Sequence, residues 1–329
     1  MTTSRQNIYL KGGLGMVALA ALLTTTGCSS EEAQALEPDA PETRSLLFNI
    51  PLASNAGDAC PDLQIFLYDT AGNELLGQME VTGTEPMDDG SQLVHGLLPL
   101  TCPAISNDSL CCHMVVLGDC PETDGAPQSV KALTFGANSQ KMPLYGAHDV
   151  RTRLDRRIEV LAPTTQLLRA GAQITVNLAQ ELTDSGISLK SATLKEANQK
   201  GYCTPDHPTK LITSEGMATG MVFRPNTDAK GDVMLHAKGA SAMEALVPEC
   251  ATPEGEVLEL ALEFERNGEA YTGIFGQTLY CKNYVDNVPF DIVRGHHYIF
   301  NIRSLQTEGA VEVVVEDWTE TMAEDITFN

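Results

Sequence analysis

The chain has 329 residues, of which 44 are Asp or Glu and 21 are Lys or Arg, so its formal net charge is −23. A protein this acidic does not offer a surface suited to nucleic acid or to anionic lipid headgroups, and we expect no nucleic-acid partner. Hydrophobic residues make up 43% of the chain, which is enough to build globular cores.

The N-terminus, residues 1–27, is a predicted secretory signal peptide. Arg5 and Lys11 precede the apolar stretch LGMVALAALL. This stretch is too short to span a bilayer, which needs roughly 20 apolar residues, but it suits a signal that is removed after export. The following TTGCSS resembles the lipobox of bacterial lipoproteins, although Thr25 stands where a Leu is usual. We therefore predict lipidation of Cys28, and the alternative is an ordinary signal peptide that is cut nearby.

Residues 28–44 are predicted to form a lipidated acidic spacer. The segment is rich in carboxylates and holds Leu36 as its one large apolar side chain, so it cannot bury a core. Acidic residues behind a lipidated cysteine also resemble the surface-export signal of some Gram-negative lipoproteins. We expect an outer-membrane lipoprotein at the cell surface, held to the membrane through the lipid on Cys28. Arg44 ends the spacer and is a possible site of proteolytic processing.

Eight cysteines remain besides Cys28, and an even number in an exported chain favours disulfides. These candidate disulfide cysteines are Cys60, Cys102, Cys111, Cys112, Cys120, Cys203, Cys250 and Cys281. A boundary near residue 160 leaves an odd number in each half, so either an odd number of disulfides crosses between the halves or each half keeps one free thiol. The sequence favours free thiols, because tandem sandwiches rarely bring loop cysteines within the ~4.4–6.8 Å between Cα atoms that a disulfide needs.

The chain beyond the spacer, about 285 residues, is longer than one core usually serves, so the sequence predicts two domains, 45–160 and 161–329. Alternating apolar runs predict strands at 46–52, 62–69, 113–119, 156–161, 172–178, 187–196, 257–266, 269–276, 296–305 and 311–318. Helical segments are short. The predicted fold class is therefore all-β, with two tandem antiparallel β-sandwiches.

Sequence motifs of catalysis are absent from the chain. It contains no GxSxG, HExxH, GxxxxGK[ST] or GxGxxG segment, so we expect no enzyme activity, no cofactor and no metal. His113 adjoins Cys111 and Cys112, but without a second nearby His or a CxxC unit this triplet is a poor metal site. His296 and His297 are neighbours in a predicted strand and should face opposite sides of its sheet.

The order of several segments resembles the fimbrillin superfamily, which comprises lipoprotein pilins and accessory pilus proteins of Gram-negative anaerobes. The segments are DLQIFLYDTAGNELL, KMPLYGAHDV, TTQLLRAGAQITVNL, ISLKSATLKEAN, FDIVRGHHYIFNI and VEVVVEDW, which follow a lipoprotein signal and an early strand. The best matches are the PLYG turn (143–146), Leu168 with Arg169, and Arg294. The resemblance implies two transthyretin-like β-sandwich domains.

The resemblance also implies a way of assembly. In major fimbrillins an arginine-specific protease cuts after the first strand, and a C-terminal strand of the next subunit fills the open groove. This chain departs from the pattern, because the loop after the first strand (46–54) lacks Arg and Lys, and Arg44 lies ahead of that strand. In the tail, Ile326 and Phe328 alternate with polar residues, so the tail is either a donor strand or the last strand of its own sheet.

From these features we expect a fimbrillin-like surface lipoprotein that serves as a structural or accessory pilus component, as anchor, tip or stalk, and supports cell adhesion. Its expected partners are other pilus subunits of the same family. The alternative is a stand-alone glycan- or ligand-binding surface lipoprotein. An aromatic content of 5% with a single Trp gives that alternative little support, because such binders present exposed aromatic rings.

Overall fold

A computed structural model describes residues 45–54, 62–88, 91–154, 159–205, 229–239, 241–252, 254–272, 278–282, 287–305 and 311–317. Within these ranges nearly all regular structure is β-strand, with two short helices, so the predicted all-β class is confirmed. Sheets stacked with apolar faces toward each other give a sandwich-like architecture.

The first half of the chain contributes β1 (Ser45–Ser54), β2 (Leu63–Tyr68), β3 (Leu75–Pro86), β4 (Gln92–Pro99), β5 (Ile105–Ser106), β6 (Ser109–Gly118), α1 (Pro127–Ala132), β7 (Thr134–Gly136), β8 (Leu144–Arg153), β9 (Glu159–Leu161) and β10 (Thr165–Arg169). The second half contributes β11 (Gly171–Leu178), α2 (Gln180–Asp184), β12 (Ile187–Asn198), β13 (Lys200–Tyr202), β14 (Lys230–Met234), β15 (His236–Ala237), β16 (Ala242–Pro248), β17 (Glu259–Arg266), β18 (Glu269–Tyr271), β19 (Thr278–Tyr280), β20 (His296–Ile302) and β21 (Val311–Asp317).

The first sheet closes on itself. Its strand order is β10-β8-β6-β2-β3-β4-β1-β9, and β10 also pairs with β1. The long strand β3 pairs with β2 along its first part and with β4 from Glu80 onward, and the pairing with β4 contains a register shift between Val81 and Gly83. Such a shift bends a strand and strengthens its twist. β3 and β10 therefore each join the two layers that enclose the first core.

The first core fills the space between these layers. It includes Leu46, Phe48 and Ile50 from β1, together with Ile65 and Leu67 from β2. The predicted turn at 143–146 is wrong, because Leu144 to Gly146 already pair with β6 as the start of strand β8. The close approach of β10 depends on Gly146, because a Cβ there would lie 2.7 Å from the backbone oxygen of Gln166. A larger residue there would push the closing strand away from β8.

Strand β2 is buried on both faces. Ile65 and Leu67 point into the first core, while Phe66 and Tyr68 join a second apolar cluster on the outer side, which includes Val130 of α1. Gly125 allows this covering segment to approach, since it has φ +75° and a Cβ there would lie 2.4 Å from the Phe66 ring. The alternation predicted for DLQIFLYD is therefore present, and both of its faces are covered.

The second half builds two further sheets around another core. Their strand orders are β15-β16-β11-β20-β21 and β14-β12-β17-β18, and β19 also pairs with β17. The predicted apolar face of β17, Leu258 to Phe264, lies in this core, as do Ile174 of β11 and Phe300 of β20. β11 and β20 pair in parallel over six residues at the centre of the first of these sheets.

The passage from one core to the other falls just after β10. Leu167 is the last residue of the first core, and Ala172 is the first residue of the second. β10 thus pairs with the first sheet, although it lies past the predicted boundary at 160. The chain crosses back once more, since β13 pairs with β7. The division into domains 45–160 and 161–329 stays a prediction.

A buried ion pair holds the segment that crosses back. Arg294, which precedes β20, donates from Nε to Glu249 Oε2 at 2.8 Å and from Nη2 to Glu249 Oε1, and both side chains are at most 2% exposed. The same guanidinium donates to the backbone oxygens of Tyr202 (3.2 Å) and Cys203 (3.4 Å). Bidentate pairing and added hydrogen bonds offset the cost of burying two charges. Arg294 thus fixes the end of β13.

We predict that Arg294→Ala lowers the free energy of unfolding by about 3–5 kcal/mol, because it leaves the Glu249 carboxylate buried without its cation. Arg303 is the matched control, since it pairs with Glu312 at a surface where its own side chain is 67% exposed. Arg303→Ala should cost at most about 1 kcal/mol. Urea unfolding followed by circular dichroism measures both, and equal losses would contradict a special role for the buried pair.

Candidate functional site

The N-terminal strand β1 is the element around which we build the candidate site. On one side it pairs antiparallel with β4 over eight residues, from Ser45 with Pro99 to Leu52 with Gln92. On the other side it pairs in parallel with β9 near its start and with β10 near its end. A strand bonded along both sides completes a sheet. Its removal would expose two rows of backbone donors and acceptors.

The core-facing side of β1 is wholly apolar. Leu46, Phe48, Ile50 and Leu52 alternate along the strand and have essentially no exposed surface. Burial of four such side chains contributes roughly 6–12 kcal/mol, an upper estimate because the unfolded chain is partly compact. Without β1 the first core would have an apolar slot with four pockets. β1 thus places apolar side chains at alternate positions between two paired strand edges.

The opposite face of β1 carries a polar chain across three strands. Asn49 donates from its side-chain nitrogen to Glu159 Oε1 of β9 at 2.5 Å. Its side-chain oxygen lies 2.7 Å from His95 Nδ1 of β4, so the imidazole carries its proton on Nδ1 and donates to Asn49. Asn49 stands opposite His95 in the ladder. A slip of one residue would break both bonds and turn the apolar residues outward, so this chain fixes the register.

The predicted processing and attachment residues lie outside the described residues. These are Cys28, Arg44, Cys60, Ile326 and Phe328. The loop between β1 and β2 lies outside them as well, from residue 55 to residue 61. The structure does place the last segment before the tail: β21 pairs antiparallel with β20 over all seven of its residues and is the last strand of its sheet.

The histidines singled out from the sequence do not converge on a metal. His113 is buried, and its Nδ1 lies 2.8 Å from Asp149 Oδ1, away from any shared site with the adjacent cysteines. His297 Nε2 lies 2.9 Å from Thr175 Oγ1, whereas His296 Nδ1 lies 3.1 Å from the Arg294 backbone oxygen. Among the residues described, no group of three or more His, Cys, Asp or Glu side chains could hold a metal ion.

The cysteines in the described ranges are mostly buried. Cys111 is exposed and Cys120 is half-buried, and the buried ones are Cys102, Cys112, Cys203, Cys250 and Cys281. Burial raises the pKa of the Cys112 thiol to about 12, so this thiol stays protonated and unreactive at neutral pH. In the part of the chain that the structure describes, no helix is long and apolar enough to cross a membrane.

A separate surface cavity of ≈ 720 Å³ lies beside the second core. It is lined by Lys195, Asp232, Glu256 and Tyr280, among others. Lys195 and Asp232 pair with each other at 2.6 Å, and the Tyr280 ring is occupied from one side by Lys282 Nζ at 5.5 Å from its centroid. Lys195 and Asp232 are thus engaged with each other and one face of Tyr280 is covered, which makes this cavity a weaker candidate than β1.

Comparison with known proteins shows the fold of the chain. A candidate cell adhesion protein from Bacteroides uniformis matches 85% of this chain and 100% of its own, at 14% sequence identity and a TM-score of 0.52. A fimbrial assembly protein from Parabacteroides distasonis matches 83% of this chain and 96% of its own, at 10% identity and a TM-score of 0.52. No protein-family profile matches the sequence. No curated protein matches it either.

These matches confirm the fimbrillin resemblance at the level of the fold, since they run through nearly the whole length of both solved structures. Two of the motifs that carried the resemblance now have a physical meaning. Gly146 of the PLYG segment admits the closing strand β10, and Arg294 anchors β13. Arg169 is buried as well.

Two features of the site were not predicted from the sequence. The pairing of β1 with β9 and β10 joins residues more than 100 positions apart, and no local pattern reports such a contact. The polar chain through Asn49 was also missed, although a single Asn inside the apolar run LLFNIPL is a signal that could have indicated it.

Substitution of the largest β1 side chain tests the slot. We predict that Phe48→Ala destabilises the protein by about 3–5 kcal/mol, because the cavity opens at the centre of the first core. Leu161 of β9 is the control, as it is the neighbouring apolar residue on the strand beside β1 and is 69% exposed. Leu161→Ala should change stability by no more than about 0.5 kcal/mol. Unfolding midpoints in urea give both values, and a Phe48→Ala loss below about 1 kcal/mol would contradict the role assigned to the slot.

Proposed function

We propose that this protein is a fimbrillin-like surface lipoprotein, a structural or accessory component of a pilus that supports cell adhesion. One observation carries the proposal: an N-terminal strand that fills an apolar slot within an all-β fold, the same fold as a fimbrial assembly protein. The signal peptide, Cys28 and the acidic spacer support export and a lipid tether at the outer membrane. No step in this function requires catalysis, a cofactor or a metal.

The proposed mechanism is β-strand complementation between subunits of one family. A slot emptied of its own strand offers two unpaired sheet edges and four pockets at alternate positions, which an incoming strand with the same alternation can fill. The tail with Ile326 and Phe328 has that alternation over its last residues. The tail also follows β21, which among the described strands is an edge strand of its sheet and pairs with β20.

The position of basic residues distinguishes this chain from a subunit that both accepts and donates a strand. No Lys or Arg occurs between Ser45 and Val130. A protease specific for Arg would therefore release the spacer at Arg44 and leave β1 in its slot. Such a subunit can donate its tail but cannot accept one, which suits a place at an end of a pilus better than a repeated place along the stalk.

Limited proteolysis tests this reading of Arg44. We predict that an arginine-specific protease acting on the folded protein yields a product that begins at Ser45 and retains β1, because no Lys or Arg occurs between Ser45 and Val130. Mass spectrometry of the N-terminus gives the answer. A product that begins between residues 55 and 62 would instead indicate maturation by removal of β1.

An introduced protease cleavage site tests whether strand complementation takes place between subunits. Gly57→Arg places an Arg in the loop after β1, so cleavage of this variant should separate β1 from the rest of the chain and let a partner's tail displace it. The cleaved variant, mixed with intact wild-type protein, should form a complex on size-exclusion chromatography. Wild-type protein cleaved at Arg44 and mixed in the same way should not form one.

The donor in this experiment is checked by deletion. Intact protein that lacks residues 319–329 should not bind the cleaved Gly57→Arg variant, while its thermal midpoint should stay close to that of the full chain. Loss of binding together with a large fall of the midpoint would assign the tail to its own sheet. Immunogold labelling of intact cells then separates the roles: labels along filaments indicate a stalk subunit, and labels at tips or bases indicate a tip or an anchor.

A further inference from the structure

Two cysteines that are 83 positions apart in the sequence meet between the two halves of the molecule. Cys120 follows β6 of the first sheet, and Cys203 follows β13. Both contact a small apolar cluster that also holds Phe135, Met142 and Ala170. Their thiols are free in this structure, and Cys120 packs against the cluster in which Cys203 is buried.

The backbone on both sides keeps this contact in place. The Cys203 amide donates to the Leu133 backbone oxygen at 3.0 Å, directly beyond the pairing of β13 with β7. The Cys203 backbone oxygen accepts from Arg294. Cys120 Sγ lies 3.7 Å from the Leu144 backbone oxygen, at the start of β8. Each cysteine is thus held by hydrogen bonds to a different part of the fold. The positions of the two side chains in the shared cluster are therefore fixed by the tertiary structure.

The ionisation of the pair follows from the same geometry. The hydrogen bond from Cys120, and to a smaller extent the Arg294 guanidinium, lower the pKa of the Cys203 thiol. The same hydrogen bond and burial raise the pKa of the Cys120 thiol. Both shifts have their cause in the contact between the two thiols within the closed cluster.

The cysteine count supports a bond between the halves. The first half has an odd number of non-lipidated cysteines, and so has the second. A bond between Cys120 and Cys203 makes both remainders even: Cys60, Cys102, Cys111 and Cys112 are left in the first half, and Cys250 and Cys281 in the second. The sequence allowed two alternatives, a disulfide between the halves or one free thiol in each half. A bond between Cys120 and Cys203 is the first of these.

We propose that Cys120 and Cys203 form a disulfide in the exported protein and that this bond ties the sheet containing β1 to the second half of the chain. The oxidant is the disulfide of a thiol–disulfide exchange protein of the exporting compartment. Cys120 and Cys203 give up two protons and two electrons as their sulfurs bond, and the partner's disulfide takes them up and becomes two thiols. Because Cys203 has no exposed area in the folded protein, the exchange takes place before the cluster closes over it.

The position of the bond has a consequence for the assembled fold. It crosses beside the Arg294 contacts to Tyr202 and Cys203, so a covalent link and a buried ion pair hold the same segment. The bond depends on neither the filled slot nor a partner subunit, and its test is therefore independent of the proposed pilus function.

Tryptic mapping without reduction tests the proposal on the full exported chain. Cleavage at Arg44, Lys131, Lys200 and Lys210 puts Cys120 on peptide 45–131 and Cys203 on peptide 201–210. The protein is denatured, alkylated without reductant and digested with trypsin. We expect a linked species of the two peptides that is two hydrogens lighter than their sum and that separates on reduction. Complete alkylation of Cys203, or a link from 201–210 to 239–266 or 267–282, would overturn the proposal.

Single substitutions assign the partner within peptide 45–131, which also contains Cys60, Cys102, Cys111 and Cys112. Cys120→Ser should abolish the linked species and leave Cys203 alkylated. Cys111→Ser is the control, because Cys111 is exposed on β6, and it should leave the link unchanged. A link that persists in Cys120→Ser would contradict the assignment. Should Cys120→Ser fail to fold, digestion of the wild-type linked species with a glutamate- and aspartate-specific protease separates Cys120 from the other cysteines and decides the same question.

Discussion

The pairing of β1 along both of its sides is the constraint on which the rest of the first half depends. β4 lies on one side of it, and β9 and β10 lie on the other, so β1 is bonded to one of the two strands that join the layers of the first sheet. Its four apolar residues fill the centre of the first core. The first core is therefore stable in two situations: when β1 stays in place, or when another strand that makes the same contacts replaces it.

The second half is connected to this sheet by a few strong, specific contacts. β13 crosses back to pair with β7, Arg294 and Glu249 hold the end of β13, and the cysteine pair lies beside them. Protein interiors transmit strain because they are close-packed and little compressible. A subunit that keeps β1 in its first sheet and donates a strand after β21 would carry load between its two halves through this junction, so a rigid junction serves the proposed function.

Local alternation was enough to predict ten of the 21 strands that the structure describes, and tertiary context decided the rest. The face of Leu258 to Phe264 follows directly from period-two hydrophobicity. β16 was not recognised because Ala, Met, Glu and Leu favour helix, yet pairing with β11 over seven residues holds it as a strand. The odd number of cysteines in each half left two alternatives, either disulfides between the halves or one free thiol in each. The sequence could not indicate that Cys120 and Cys203 lie close together, because only the tertiary structure shows it. Contacts this distant in sequence leave no periodic trace.

Both the first core and the proposed function require β1 to be a stably paired strand of the first sheet. Amide hydrogen exchange measures the stability of this pairing most directly. Exchange of the intact chain, followed by mass spectrometry of peptic peptides, compares β1 with β6 at the centre of the same sheet. We expect the amides of Leu46 to Leu52 to exchange as slowly as those of β6. Exchange of β1 at the rate of the exposed turn at residues 70–73 would contradict this expectation and show that this strand does not hold the slot.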